Sequence, residues 1–168
     1  EALTNKLQLP RIKIASATAK ALEEFIIPAF QMILEDCPEE VWPGWSSGYV
    51  RSKKKFIFAN GAEIQLVGLD KDPDGLRGNY ADLVIIDEAG MVDNLDYLYG
   101  SVIGPMTLLR KDSRIIILST PSATPEHPFQ SFCARAQEQK AYIELNIHDN
   151  PMMTPELIAQ AKAECLTE

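Results

Sequence analysis

Four apolar residues, Leu83-Val84-Ile85-Ile86, run directly into two acids, Asp87 and Glu88. At the carboxyl end of a buried strand, that pair suits phosphoryl chemistry. The first carboxylate can hold Mg²⁺, a hard cation that takes oxygen ligands and keeps part of its water shell. The second points to the other side of the chain, where it can orient or deprotonate an attacking water. Two acids ending a strand can equally do no more than face solvent. A second apolar run, Ile115-Ile116-Ile117-Leu118, is closed by Ser119-Thr120-Pro121. Small hydroxyls there can touch a γ-phosphate, or a water that bridges to the acids, and the same tripeptide also serves as a plain strand exit. The two signals together, separated by one helical stretch, are more specific than either alone.

Other candidates carry weaker patterns. Arg51 and Lys53 to Lys55, near Trp45 and Tyr49, interleave basic and aromatic residues as a nucleic-acid surface does, or simply guard a hairpin edge against pairing. Asp70, Asp72 and Asp74 have the spacing of a calcium loop, but Pro73 interrupts them and no glutamate closes the loop. Three cysteines, none in a Cys-x-x-Cys pair, and two histidines argue against a structural zinc site or a disulfide framework. No Gly-x-x-x-x-Gly-Lys-Ser/Thr occurs in the 168 residues, so no glycine-rich nest of backbone amides cradles phosphates. A net charge of −8 and a pI near 4.8 exclude a dedicated, strongly basic nucleic-acid domain while leaving room for a local basic patch. No stretch approaches the ~20 apolar residues that span a bilayer. The first residues have no initiator Met, no basic n-region and no apolar h-region; they read as part of a longer chain rather than as a signal peptide.

The elements that must position these groups alternate between strand and helix patterns. Residues 11–17 predict a strand, followed by a helix from Thr18 that Pro28 should kink. Residues 54–59 and 62–67 flank Asn60-Gly61, which predicts a β-hairpin with a type I′ turn. The runs at 83–86 and 115–118 are apolar on both faces, which predicts parallel strands buried between helices. Between them lies a helix interrupted at Gly104-Pro105. The tail predicts a helix at 127–140, a strand at 141–147, a loop at 148–151, and a last helix capped by Thr154 with Pro155 in first position. The fold class is α/β, and at this length the chain is one domain's worth of sequence.

In this order, the motifs resemble the ATPase part of a tailed-phage terminase large subunit, the motor that packages viral DNA. Leu83 to Glu88 is similar to the family's Walker B strand with its catalytic glutamate, and Ser119-Thr120-Pro121 to its coupling motif. The hairpin at Asn60-Gly61 precedes a loop carrying Leu76-Arg77-Gly78, and Asp149-Asn150-Pro151 resembles the exit to a linker. The resemblance implies a parallel-sheet, P-loop-NTPase-like core of the additional-strand type, with an antiparallel hairpin and truncated at its N-terminus. Residues 1–147 would form the core fragment and 148–168 a linker-like helix. Asp87 would then serve Mg²⁺, Glu88 the hydrolytic water, Ser119 and Thr120 the nucleotide and its coupling to movement. Arg77 would be a finger reaching a neighbouring subunit's nucleotide, or else a brace for the Asp70/Asp72/Asp74 loop.

The family's phosphate loop lies upstream of these motifs and its nuclease domain downstream. The expectation is therefore that ATP and Mg²⁺ bind the intact protein, that this chain alone binds neither tightly, and that it is inactive by itself. Double-stranded DNA, a portal, a small terminase subunit and a homo-oligomeric ring are the implied partners, in the cytoplasm of a bacterial host and without a membrane. Two alternatives remain open. One is a prophage remnant or interaction module that lacks the P-loop and ATPase activity, the other the ATPase fragment of a DEAD-box-like helicase.

Overall fold

The computed structural model describes residues 9–70, 73–78, 80–122 and 124–165. Two compact units divide the chain, Glu1–Gln130 and Ser131–Glu168. The first holds a six-stranded sheet made of β1 (Arg11–Ser16), β2 (Tyr49–Val50), β3 (Lys55–Ile57), β4 (Glu63–Gly68), β5 (Leu83–Asp87) and β6 (Arg114–Ile117). Its order is β2-β3-β4-β1-β5-β6, with β4, β1, β5 and β6 mutually parallel and the β2-β3-β4 side antiparallel. The α/β class and the largely parallel sheet are therefore as the sequence pattern requires.

Helix α1 spans residues 19–34 and α2 is the short turn Trp45–Gly48; α3 spans residues 95–107. Thr18 caps α1 by accepting the Ala21 amide at 3.1 Å. At Pro28, where a kink is expected, the helix carries a wider turn. Leu22–Ile26 is π-helical, and Ile27, just before the proline, donates to the carbonyl five residues back. In α3 the same device recurs: Leu98–Ile103 is π-helical and Gly104, just before Pro105, donates to Tyr99. A proline ring crowds the carbonyl four residues before it, and one π turn supplies the room without breaking the helix.

The hairpin forms, but with a three-residue loop in place of the two-residue type I′ turn. Phe58 and Ala62 pair through a 2.9 Å hydrogen bond, and Gly61 donates back to Phe58 at 2.8 Å. Only Gly61 of the Asn-Gly pair has positive φ, at 83°, while the Asn60 side chain accepts the Ala62 amide.

One face of β1, β3 and β4 carries the first core. Leu22, Leu34, Trp42, Phe56 and Leu66 are buried there, with Ile14, Ile64 and Phe30 packed against them. Phe56 is its centre, with the Phe30, Tyr49, Trp42 and Trp45 rings at centroid distances of 4.7 to 5.7 Å. Truncating such a side chain costs on the order of 3–5 kcal/mol. On the other face Ala15, Val84 and Ile86 are fully buried, as are Leu95, Leu98, Val102, Ile103 and Met106 of α3 to within 2%. Strand β6 departs from the expectation of burial on both faces: it is an edge strand, and Ile116 and the following Leu118 are 41% and 48% exposed.

Helix α4 is Pro128–Glu138 and α5 is Pro155–Cys165. In the second unit, residues 141–146 form no strand; among the described residues they have no pairing partner, and Ile143 and Leu145 are 82% and 77% exposed. A 3₁₀ turn at Ile147–Asp149 follows, closed by a reciprocal capping box between Asn146 and Asp149. Helix α5 begins as expected, with Thr154 Oγ1 accepting the Leu157 amide at 3.3 Å. No described helix is long and apolar enough to cross a membrane.

Candidate active site at the carboxyl ends of the strands

Because β4, β1, β5 and β6 are parallel, their carboxyl ends share one rim, where open α/β sheets place their ligands. Ser16, last in β1, is in register with both Gly68 of β4 and Asp87 of β5. Asp87 is half-buried and ends its strand. Glu88 then takes the left-handed conformation, φ 53° and ψ 41°, and a 3₁₀ turn over Ala89–Met91 leads away. For a residue with a Cβ this costs on the order of 1 kcal/mol, and such outliers gather where a side chain must be aimed. Among the described residues, neither carboxylate has a hydrogen bond or an ion pair.

The second strand end is tied to the first. Leu118 donates to Ile86 at 2.8 Å, Ala89 donates to Leu118 at 3.0 Å, and the Gly90 amide donates to Ser119 Oγ at 2.9 Å. Glycine is required at position 90, since a Cβ there would lie 2.8 Å from Ser119 Oγ and 3.0 Å from the Thr120 carbonyl. Ser119 is half-buried and Thr120 exposed. The structure thus places Asp87, Glu88, Ser119 and Thr120 side by side on one rim.

A fifth residue joins them that the sequence reading did not single out. Ser16 is fully buried, and its hydroxyl has no hydrogen-bond partner. Orphaned buried hydroxyls are rare because desolvation costs roughly 1–3 kcal/mol. The signal was the string of small residues Ala15-Ser16-Ala17-Thr18 between strand and helix. The nearby start of α1 is already satisfied, since Thr18 holds the Ala21 amide and Asp70 Oδ1 accepts the Ala19 amide at 2.8 Å.

No group of three or more His, Cys, Asp or Glu side chains converges among the described residues. A Mg²⁺ ion takes oxygen ligands and completes its shell with water. The free Asp87 carboxylate and the unpartnered Ser16 hydroxyl beside it in register suit such an ion.

Arg77 lies elsewhere, in the loop after a 3₁₀ turn at Pro73–Leu76, and its guanidinium is fully engaged. Nε donates to Asp74 Oδ1 at 2.8 Å, Nη2 to the Tyr97 hydroxyl at 2.8 Å, and Nη1 to the Ser101 carbonyl at 3.2 Å. Ser101 lies four residues before Pro105, which has no amide to give it. The hydrogen bond from Arg77 holds the Asp74 carboxyl below the usual carboxylate range. Of the three loop aspartates, Asp72 is outside the described residues, Asp70 serves α1, and Asp74 serves Arg77.

The basic-aromatic stretch resolves into structure. Trp45 and Tyr49 meet edge-on in the Phe56 cluster, Lys54 pairs with Glu23 at 2.8 Å, and Lys55 pairs with Glu63 at 2.9 Å. His127 opens α4: its Nδ1 accepts the Phe129 amide at 3.1 Å, and its Nε2 donates to the Val92 carbonyl at 3.2 Å.

A family described as the terminase large subunit, T4likevirus-type, N-terminal, matches residues 42–166. Among solved structures, the large terminase of a thermophilic bacteriophage superposes with a TM-score of 0.65 and 15% identity, over 92% of this chain and 37% of that one. The same protein in complex with ADP gives a TM-score of 0.61 and 16% identity over the same shares. The ATPase domain of the Thermus phage P74-26 large terminase gives 0.54 and 22% identity, over 74% of this chain and 52% of that one. These likenesses establish the shared fold, and this chain spans 37% of the large-terminase chains and 52% of the ATPase-domain chain. No curated protein matches the sequence.

Proposed function

The chain belongs to the terminase large-subunit family, and from that premise we propose that it forms the hydrolytic rim of an ATPase that drives double-stranded DNA into a procapsid. The observation that carries this reading is the joined pair of strand ends, an unpaired Asp87-Glu88 hydrogen-bonded through Gly90 to Ser119. Asp87, with Ser16 beside it, would hold Mg²⁺, which supplies charge neutralisation for the phosphates when bound. Glu88, aimed by its left-handed backbone, orients and accepts the proton of the attacking water. Ser119 and Thr120 report the state of the phosphate along the Gly90 hydrogen bond.

The phosphates themselves need a cradle that these 168 residues do not contain. The open edge of β6, with Ile116 and Leu118 exposed next to the rim, is where a further strand carrying that loop would complete the sheet. In an assembled homo-oligomeric ring, Arg77 would leave Asp74 and Tyr97 to reach the neighbouring subunit's nucleotide. An arginine so placed accelerates phosphoryl transfer by about 10³–10⁵. The portal and the small terminase subunit are the proposed partners, in the host cytoplasm. The family match favours the terminase over a helicase-type core. The missing phosphate loop is what would favour an inactive assembly module.

Replacing Glu88 in the complete gene product separates these readings. Glu88→Gln should lower ATP turnover by about 10²–10⁴ while nucleotide affinity stays near that of the parent. Undiminished turnover removes Glu88 from its role, and a parent protein without turnover favours the inactive module.

A further inference from the structure

On the face of the sheet opposite Ser16, and about 10 Å back along β1, lies a cleft of about 250 Å³. Arg11, Lys13, Lys55, Arg77 and Glu63 line it, with Gln65, Gly78 and Tyr80. Arg77 is neutralised by Asp74, which leaves three cations and one carboxylate. Arg11 Nη1 and Lys55 Nζ both take the same oxygen, Glu63 Oε2, at 2.8 and 2.9 Å. Arg11 Nε is buried without a partner. Lys13 is 6% exposed in the middle of the central strand, and among the described residues its ammonium makes no ion pair and hydrogen-bonds the backbone carbonyls of Leu76 and Arg77. A buried ammonium held this way is an expensive arrangement, and two carbonyl dipoles with the nearby Glu63 charge compensate it only partly. In a chain of net charge −8, this local surplus of positive charge runs against the average.

We propose that this cleft is a binding site for a phosphate-class oxyanion, a free phosphate group or a backbone phosphodiester, held by Arg11, Lys13 and Lys55. Such an ion supplies the charge the cleft lacks and accepts the Arg11 Nε proton and the ammonium protons in charge-assisted bonds. The cleft has room for it. The site is separate from the hydrolytic rim, because Lys13 and Ser16 point to opposite faces of β1. The lowered affinity of Lys13 for its proton has the same origin: burial first, then the charges of Lys55 and Arg11, bring its pKa down to about 8. An anion in the cleft reverses that trend.

Lysine-labelled protein, the full 168-residue chain, provides the test through the Lys13 side-chain resonance. Inorganic phosphate should shift that resonance saturably, with a dissociation constant of about 1 mM or tighter, and should raise its titration midpoint. Chloride at matched ionic strength should not. Lys55→Met keeps the reporter and should weaken phosphate binding about tenfold. Gly78→Ala, whose Cβ would lie 2.8 Å from Lys13 Nζ, should weaken it while leaving every charge in place. A short DNA duplex forms the second arm. A response to phosphate alone assigns the site to a free phosphate group, and a tighter response to duplex assigns it to the nucleic-acid backbone. If neither moves the Lys13 resonance beyond the chloride control, or if Lys55→Met leaves the response intact, the proposal fails.

Discussion

The rim and the cleft lie on one sheet and are built in opposite ways. At the rim, two carboxylates make no ion pair among the described residues and are positioned by backbone: a left-handed Glu88, a glycine at 90 and a ladder that continues past β6. In the cleft, three cations crowd around one carboxylate and are held by side chains on neighbouring strands. A surplus of negative charge at the carboxyl ends calls for a cation and what it carries. A surplus of positive charge on the flank calls for an anion. An overall charge of −8 reveals neither, because function resides in where the charges fail to cancel.

The largest effect that would break this contrast is a pH dependence. Lys13 has a folded pKa of about 8 against an ordinary 10.5, so the unfolded chain binds more protons between those values. Folding stability should therefore rise with pH from about 8 to 10.5, by about 3 kcal/mol at most, and be flat below as far as this group is concerned. Arg11, Lys55 and Glu63 face it, and the comparison with Lys13→Met isolates its own contribution from theirs. Urea unfolding across the range should show the rise in the parent and not in Lys13→Met. A parent whose stability does not change would mean that the ammonium is compensated and the cleft balanced.

The rim answers to backbone changes. Gly90→Ala should cost about 1–3 kcal/mol, because the new methyl must displace Ser119 and the Thr120 carbonyl. A loss under about 0.5 kcal/mol in urea unfolding would show that the two strand ends are not rigidly joined. The smallest effect sharpens the comparison most. Glu88→Gly relieves the left-handed backbone and should stabilise the fold by about 1 kcal/mol, read as a higher thermal midpoint, while abolishing turnover of the complete protein. A destabilised variant would show that Glu88 contributes to folding after all.

Much of this arrangement was legible in the residues. The apolar runs at 83–86 and 115–118 specify parallel strands, although the second proves to be an exposed edge, and the acids and hydroxyls that close them fall on a common rim once the strands are parallel. What escaped detection depended on the third dimension. Lys13 sits in an ordinary strand pattern, Arg11-Ile12-Lys13-Ile14, and only the pairing of β1 with β4 brings it beside Lys55 and Glu63. Ser16 is equally plain until the register sets it opposite Asp87. The segment 141–146 alternates like a strand, but alternation describes only a surface suited to pairing, and among the described residues no strand pairs with it. Gly104-Pro105 reads as an interruption because sequence rules weigh the lost hydrogen bond; the helix runs on through it after a π turn, as it does through Pro28.

Isoleucine and leucine methyl groups on this sheet allow the central claim to be measured directly. In the complete gene product with ATP, Mn²⁺ in place of Mg²⁺ should broaden the methyl signals of Ile86 and Leu118 strongly, and those of Ile12 and Ile64 at the far ends of β1 and β4 little. Broadening centred on Ile12 and Ile64, or none at Ile86 and Leu118 under saturating nucleotide, would contradict the assignment of Asp87 and Glu88 to the hydrolytic site.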